Sequence, residues 1–202
     1  MTAPRNAPIP KSRFEEIAWP AIPAPEAGML LTLLQQLGES QWWPPEVLRA
    51  QQFRQLDRLV AHAHRSVPFY RERLDDGALT EESWARMPIL KRREVQDAGD
   101  HLRSTAIPQS HGKIAVAYTS GSTNSPLKIV KTALSRHYWQ AFALRDELWH
   151  RRDFSAKIAV IHNDRAAKFG ATAGRRLDSW GPPVSLCYPT GPAALLDIRA
   201  DP

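Results

Sequence analysis

The chain has 202 residues, of which 43% are hydrophobic and 24% are charged, so its composition excludes a collagen-like or disordered chain. Cys187 is the single cysteine, which excludes an internal disulfide and favours a reducing, cytosolic setting. The N-terminus lacks the apolar stretch of a signal peptide, and no apolar run could span a bilayer, so we expect a soluble cytoplasmic protein.

The net charge of +6 is concentrated in one part of the chain. Residues 104–152 hold seven Lys or Arg against two Asp or Glu, whereas residues 51–103 hold ten against nine. Nucleic-acid-binding proteins usually cluster Lys and Arg in a stripe along one helix or face. The local surplus instead favours a small anionic ligand, and we expect neither a nucleic acid nor a membrane as partner.

Proline dominates the beginning of the chain, where six of the 17 prolines lie within the first 25 residues. Because proline blocks regular helix, residues 1–26 are predicted to form an extended arm. This arm either packs on the body through Phe14, Ile17 and Trp19 or is disordered.

Helical patterns fill residues 27–104, the predicted helical layer. Apolar residues at helical spacing, N-cap residues and prolines set the boundaries of its helices. Four helices are predicted here: one from Gly28 to a stop at Gly38, one from Pro44 to Pro68, one capped by Thr80, and one over Lys91–Leu102.

The hydrophobic pattern changes in residues 105–202, where strand-like and helix-like segments alternate. Strands are predicted at Lys113–Tyr118, Leu127–Thr132, Lys157–Ile161 and Val184–Tyr188, and helices at Leu134–His150 and Arg165–Arg176. The predicted fold class is therefore α/β, with the helical layer followed by an incomplete mixed or parallel sheet and flanking helices. Another element begins at Ala193, so we expect the chain to be the front part of a longer one. Cys187 is predicted to be a small core residue of the last strand, and the tryptophans are predicted to pack in the helical layer.

The segment from Thr119 to Pro126 carries five hydroxyl side chains between two predicted strands. Small residues let backbone N–H groups approach an anion, hydroxyl groups add donors, and the local positive charge raises the potential. These features predict a loop that wraps the phosphates of a nucleotide. A Ser/Thr-rich hairpin turn without a ligand is the alternative, and the patterns of a Walker A loop and of a nucleophile elbow are absent.

The motif Thr-Ser-Gly-Ser-Thr-x-x-Pro at residues 119–126 resembles the phosphate loop of the adenylate-forming enzymes. Two upstream stretches, residues 59–74 with Val-Pro-Phe-Tyr-Arg and residues 84–91 with Met-Pro-Ile-Leu-Lys, resemble the phenylacetate–CoA ligase branch of that superfamily. The match runs in order from about residue 48 to residue 202. The resemblance implies that the chain is the N-terminal part of the large domain of such an enzyme.

The resemblance also implies a two-step reaction. ATP and a small carboxylic acid would give an acyl-adenylate and pyrophosphate, with Mg²⁺ assisting, and the acyl group would then pass to coenzyme A. The phosphate-contacting hydroxyl groups would be those of Thr119, Ser120, Ser122 and Thr123, Gly121 would allow close backbone approach, and Pro126 would fix the exit into the next strand.

This sequence departs from the family motif at two positions. Asn124 stands where the family usually has glycine, and asparagine is the best non-glycine residue for a left-handed backbone. Lys128 comes one residue later than the usual lysine, a shift that would send its amine to the opposite face of a strand. Asn124 and Lys128 nevertheless remain candidate ATP-binding residues, together with the other residues of the loop.

The catalytic residue stays unknown, because the family's catalytic lysine is expected beyond residue 202. No set of Cys, His, Asp or Glu has the spacing of metal ligands, so no protein-only metal site is predicted. We expect the isolated chain to be inactive in adenylation. The alternative is a non-catalytic or split-gene interaction module that pairs with a complementing C-terminal chain.

Overall fold

The computed structural model describes residues 8–74, 77, 79–119, 126–162 and 174–197, with only the backbone of His162. Helices occupy the first part of these residues, and strands interspersed with helices follow from Ile114 onward, which confirms the coarse α/β class. The helices are α1 Pro25–Ser40, α2 Pro45–Ser66, α3 Pro68–Arg71, α4 Glu81–Arg86, α5 Arg92–Ala98, α6 Ala133–Trp149 and α7 Val184–Cys187, with 3₁₀ turns at Gly99–Leu102 and Gln109–His111. The strands are β1 Ile114–Tyr118, β2 Lys128–Thr132, β3 Ile158–His162, β4 Arg175–Leu177 and β5 Ala193–Asp197.

The chain divides into two compact units. The first unit comprises residues 1–37 and 137–202, and the second comprises residues 38–136.

The core of the first unit is built from α1, α6 and the segment around α7. Its buried residues are Ala27, Leu30, Ala141, Leu144, Phe154, Val184, Cys187 and Tyr188. The ring of Phe154 contacts those of Trp180 and Tyr188, at centroid distances of 5.6 and 5.4 Å. The indole N–H of Trp180 donates to the carbonyl of Ala156 at 2.8 Å, so the polar end of this half-buried ring is satisfied.

A three-stranded mixed sheet belongs to the same unit. Its order is β3-β5-β4, with β3 parallel to β5 and β4 antiparallel to β5. The register pairs Ile158 with Ala193 and Leu177 with Ala193, so these three residues share one face. The single sheet predicted for residues 105–202 is not found: of its four predicted strands only β3 belongs to the mixed sheet, β1 and β2 form a separate two-stranded sheet, and residues 184–187 are helical.

The second unit carries α2 to α5 and the hairpin of β1 and β2. Pro45 stands in the first turn of α2, where its missing N–H costs nothing, and Val67 ends the helix with extended backbone before Pro68. The predicted N-cap Thr80 is confirmed: its hydroxyl accepts the N–H of Ser83 at 3.1 Å, and the Ser83 hydroxyl accepts the N–H of Thr80 at 2.9 Å.

Three helix boundaries differ from the prediction. α1 begins at Pro25 and continues through Gly38 to Ser40, so the predicted stop at Gly38 is wrong. An added Cβ at Gly38 would meet nothing within 4 Å, and packing of the apolar face of α1 outweighs the weak helix propensity of one glycine. The helix predicted over Lys91–Leu102 ends as an α-helix at Ala98, because Gly99 adopts a positive φ of 49° and a 3₁₀ turn follows.

Two elements were predicted with the wrong type. Residues 184–187 form a short helix instead of a strand, and the N–H of Tyr188 bonds the carbonyl of Val184 at 2.8 Å. Cys187 is a core residue as predicted, but it lies on this helical turn. The helix predicted over Arg165–Arg176 is wrong at its end, because Arg175 and Arg176 lie in β4. Residues 165–173 of the predicted helix lie outside the described residues.

Three of the tryptophans do not pack as predicted. Trp42 is 74% exposed, Trp139 is 71% exposed and Trp149 is 56% exposed. The ring of Trp149 is covered on one face by the guanidinium of Arg145, 4.1 Å from its centroid. Aromatic identity alone therefore did not indicate burial in this chain.

Candidate functional site

The hairpin of β1 and β2 holds the two ends of the predicted phosphate loop. The strands pair antiparallel, with Tyr118 opposite Lys128 and Val116 opposite Val130. At the far end of the hairpin, the N–H of Ala133 donates to the carbonyl of Lys113 at 2.8 Å, where β2 continues directly into α6. Both strands were predicted within one residue of their observed bounds.

Thr119 and Leu127 close the loop with two hydrogen bonds. The N–H of Thr119 donates to the carbonyl of Leu127 at 3.0 Å, and the N–H of Leu127 donates to Oγ1 of Thr119 at 2.9 Å. The Thr119 hydroxyl oxygen thus acts as an acceptor that closes the loop, and the hydroxyl group can in addition donate its proton to a ligand. Thr119, predicted as a phosphate contact, has a structural role that the sequence did not indicate.

The predicted site residues divide into two groups. Thr119, Pro126 and Lys128 belong to the described part of the chain. The other predicted site residues lie outside it: Ser120, Gly121, Ser122, Thr123 and Asn124.

A cavity of about 910 Å³ lies beside the exit of the loop, within the second unit. β2 and the residues from Pro126 to Lys128 form one wall, and α5 with the segment that follows it forms the other. Apolar side chains make up much of the lining, namely Val95, Leu102, Ile107, Pro126, Leu127, Ile129 and Val130. Polar groups come from Arg103, Ser104, Lys128 and Thr132, and carboxylates come from Asp97 and Asp100.

Some charged side chains around this cavity form ion pairs and others do not. Arg103 forms an ion pair with Asp100, and Arg93 lies 3.7 Å from Asp97. Lys128 is exposed and forms no ion pair with any residue that the structure describes. The chain has no acidic residue between Asp100 and Asp146, so no carboxylate of the hairpin itself offsets this lysine. Of the two cationic residues that line the cavity, Arg103 is paired with Asp100, and Lys128 forms no ion pair with a described residue.

Glu94 fixes the opposite wall of the cavity through the start of α5. Its carboxylate accepts the N–H of Lys91 at 2.8 Å and a guanidinium N–H of Arg73 at 2.9 Å. The hydrogen bond from Lys91, followed by that from Arg73, holds the pKa of Glu94 below its usual value. The carboxylate stays ionised at neutral pH and orients α5.

A cluster of hydroxyl and imidazole groups that the sequence did not indicate supports the same wall. Nε2 of His62 lies 3.1 Å from Oγ of Ser104 and 3.0 Å from Oγ of Ser66, and the two hydroxyl oxygens are 3.0 Å apart. The N–H of Thr105 donates to the carbonyl of Ser66 at 2.7 Å. These contacts tie the end of α2 to a segment 38 residues further along the chain, a distance at which no local sequence pattern operates.

Among the described residues, no group of three or more His, Cys, Asp or Glu side chains could hold a metal ion. No helix within the described ranges is both long and apolar enough to cross a membrane. Comparison of the chain with protein-family models, with curated proteins and with solved structures finds no match.

Proposed function

We propose that the chain takes part in ATP-dependent activation of a carboxylic acid, with residues 119–128 contacting the phosphates of ATP. The observation that carries this proposal is the closure of the loop by Thr119 and Leu127, which fixes both ends of a hydroxyl-rich segment. The resemblance of the same residues to the phosphate loop of the adenylate-forming enzymes supports it.

The chemistry needs what this segment offers. A carboxylate oxygen attacks the α-phosphorus, the bond from that phosphorus to the bridging oxygen of pyrophosphate breaks, and an acyl-adenylate forms. A thiol then attacks the acyl carbon, and AMP leaves. Hydroxyl and backbone N–H donors, together with a lysine that no described carboxylate pairs with, stabilise the negative charge that moves onto the departing pyrophosphate.

In this proposal Lys128 supplies the positive charge at the loop exit. Lys128, Val130 and Thr132 share one face of β2 and line the cavity, as does Ile129 of the other face, whereas Lys131 is not among the lining residues. Lys131 lies on the opposite face of the same strand, opposite Ala115. Lys128 and Lys131 therefore have the same side chain in the same strand and differ in the face of the strand they occupy. This makes them a matched pair for mutation.

Mg²⁺ would shield the phosphate charges of bound ATP. The described residues do not fit a protein-held ion, because they offer no group of three or more candidate ligands.

The test is ATP binding by the full chain, measured by calorimetry. We expect Lys128→Met to weaken binding about tenfold, because a charged hydrogen-bond partner contributes roughly 1.5–3 kcal/mol. Lys131→Met should leave the affinity unchanged, and Ser120→Ala combined with Thr123→Ala should weaken it further than either change alone. Absence of ATP binding by the folded chain, or equal losses for the two lysine variants, would contradict the proposal.

A further inference from the structure

Three arginines form a straight row on the exposed side of α2. Arg54, Arg58 and Arg65 are separated by four and seven residues, so they lie within about 40° of one another around the helix axis. The rise of the helix places them about 6 and 10 Å apart along it. All three are exposed. We call these three residues the arginine row.

The arginine row is not neutralised by the residues that the structure describes. None of its members forms an ion pair there, whereas Arg49 of the same helix is paired with Glu81. The acidic residue within the row's span, Asp57, accepts the N–H of Leu79 at 3.0 Å.

One basic residue and one acidic residue lie near the C-terminal end of the arginine row. The guanidinium of Arg71 lies over this end and donates to the carbonyl of Arg65 at 3.4 Å, and Glu72 is the next residue along the chain. Like charges four residues apart on a helix repel one another, as Arg54 and Arg58 do. This repulsion destabilises α2, and a bound anion would reduce it.

We propose that the arginine row binds the phosphate backbone of a nucleic acid without regard to sequence. Guanidinium groups match phosphate oxygens in a planar, two-pronged geometry. The row holds arginine without aromatic side chains that could stack on bases, which favours contact with the backbone alone.

The magnitudes favour a polyanion over an acidic protein segment. Three exposed ion pairs to carboxylates would contribute roughly 1–3 kcal/mol in total, less than the cost of association. A nucleic acid also releases the counterions condensed on each neutralised phosphate, which makes the same three contacts far stronger at low salt.

The charge count along the chain conceals this feature. Residues 51–103 carry nearly equal numbers of basic and acidic residues, which argued against a polyanion as partner. The exposed row of α2 collects three arginines, with Asp57 within its span, whereas the described carboxylates of Glu81, Glu94 and Asp97 pair with arginines outside the row.

The test measures binding of the full chain to a mixed-sequence DNA duplex of about 20 base pairs by fluorescence anisotropy at several salt concentrations. We expect log K to fall with log salt with a slope of about −2.7 or steeper. The triple variant Arg54→Gln, Arg58→Gln, Arg65→Gln should lose about 2.7 of that slope and more than tenfold in affinity at about 50 mM salt.

The matched control is Arg86→Gln, Arg92→Gln, Arg93→Gln, which removes the same net charge from other helices of the same unit. It should change the slope by less than about one. Equal losses for the two triple variants would show a general charge effect and overturn the proposal, as would tighter binding to anionic phosphatidylglycerol vesicles than to DNA. If the triple variant does not fold, Arg58→Gln alone should reduce the slope by about 0.9, and an unchanged slope would overturn the proposal.

Discussion

The backbone N–H of Lys11 donates a hydrogen bond of 2.7 Å to the carbonyl oxygen of Cys187, a residue that solvent does not reach. The ammonium group of Lys11 donates to the carbonyl of Ser185 in the same short helix, α7. The proline-rich arm therefore contacts the core of the first unit through Lys11. Phe14, Ile17 and Trp19, which the sequence suggested for this contact, are 39%, 40% and 73% exposed.

The first prediction concerns this anchor. Deletion of residues 2–13 should lower the free energy of unfolding by about 1–2 kcal/mol, because two hydrogen bonds to α7 are lost. It should also expose the Cys187 thiol, which is fully buried in the intact chain. The rate of its reaction with an aromatic disulfide reagent measures this. Deletion of residues 2–9 keeps Lys11 and serves as the control, and equal thiol reactivity in both deletions would show that Lys11 does not anchor the arm.

The second prediction concerns the close approach of two backbone segments at Gly191. A Cβ atom added there would lie 2.2 Å from the carbonyl oxygen of Ser155 and 2.5 Å from that of Ala156. The N–H of Gly191 donates to the carbonyl of Phe154 at 2.7 Å, so the segment cannot move away without losing this bond. Gly191→Ala should therefore destabilise the chain by about 3 kcal/mol, measured by urea denaturation.

Gly38→Ala is the control for that substitution. Gly38 lies inside α1 with nothing within 4 Å of an added Cβ, so alanine there should stabilise the chain by about 0.5–1 kcal/mol. A destabilising effect at Gly38, or a neutral one at Gly191, would contradict the backbone arrangement described above.

The third prediction concerns the N-terminus of α4. Thr80 and Ser83 exchange hydrogen bonds between their side chains and backbone N–H groups. Thr80→Ala should cost about 1 kcal/mol of unfolding free energy, since it leaves the N–H of Ser83 without its partner. Thr80→Ser keeps the hydroxyl oxygen and should lie within about 0.5 kcal/mol of the original chain. An equal loss in both variants would assign the effect to the threonine methyl group.

The elements that the sequence predicted well are those whose local signals agree. α2 has proline in its first turn and a residue before proline at its end, and the strands of the hairpin flank a polar, glycine-containing segment. Residues 184–188 had no such agreement, because a short apolar run fits a strand and a helical turn equally well. Tertiary packing favours the helical turn at these residues. Val184, Cys187 and Tyr188 are all buried, and a helical turn brings residues three and four positions apart to the same side.

In the candidate site, too, the sequence indicated only those features that depend on neighbouring residues in the chain. The sequence indicated the hydroxyl-rich loop, because its residues are contiguous. The cavity beside it combines β2 with residues 95–107, and the cluster of His62, Ser66 and Ser104 joins positions far apart in the chain. Such contacts depend on tertiary packing, and only the spacing of four between His62 and Ser66 was readable as one helix face.

The last prediction concerns alkaline pH. Burial raises the pKa of the Cys187 thiol to about 11 and that of the Tyr188 hydroxyl to about 12, from 9.0 and 10.0. Both groups are neutral in the folded chain over a range in which the unfolded chain already ionises. Stability is thus fully present below pH 9 and falls as the pH rises from 9 towards 12, by up to about 2–3 kcal/mol for each group.

Thermal unfolding followed from pH 8 to pH 11 checks this. Cys187→Ala should abolish the part of the decline that begins near pH 9, and Tyr188→Phe the part that begins near pH 10. Loss of packing lowers the unfolding free energy of each variant by the same amount at every pH. Loss of the titrating group, in contrast, changes the slope of the unfolding free energy with pH. A decline of unchanged slope in both variants would show that other groups titrate in this range and that neither buried side chain is responsible.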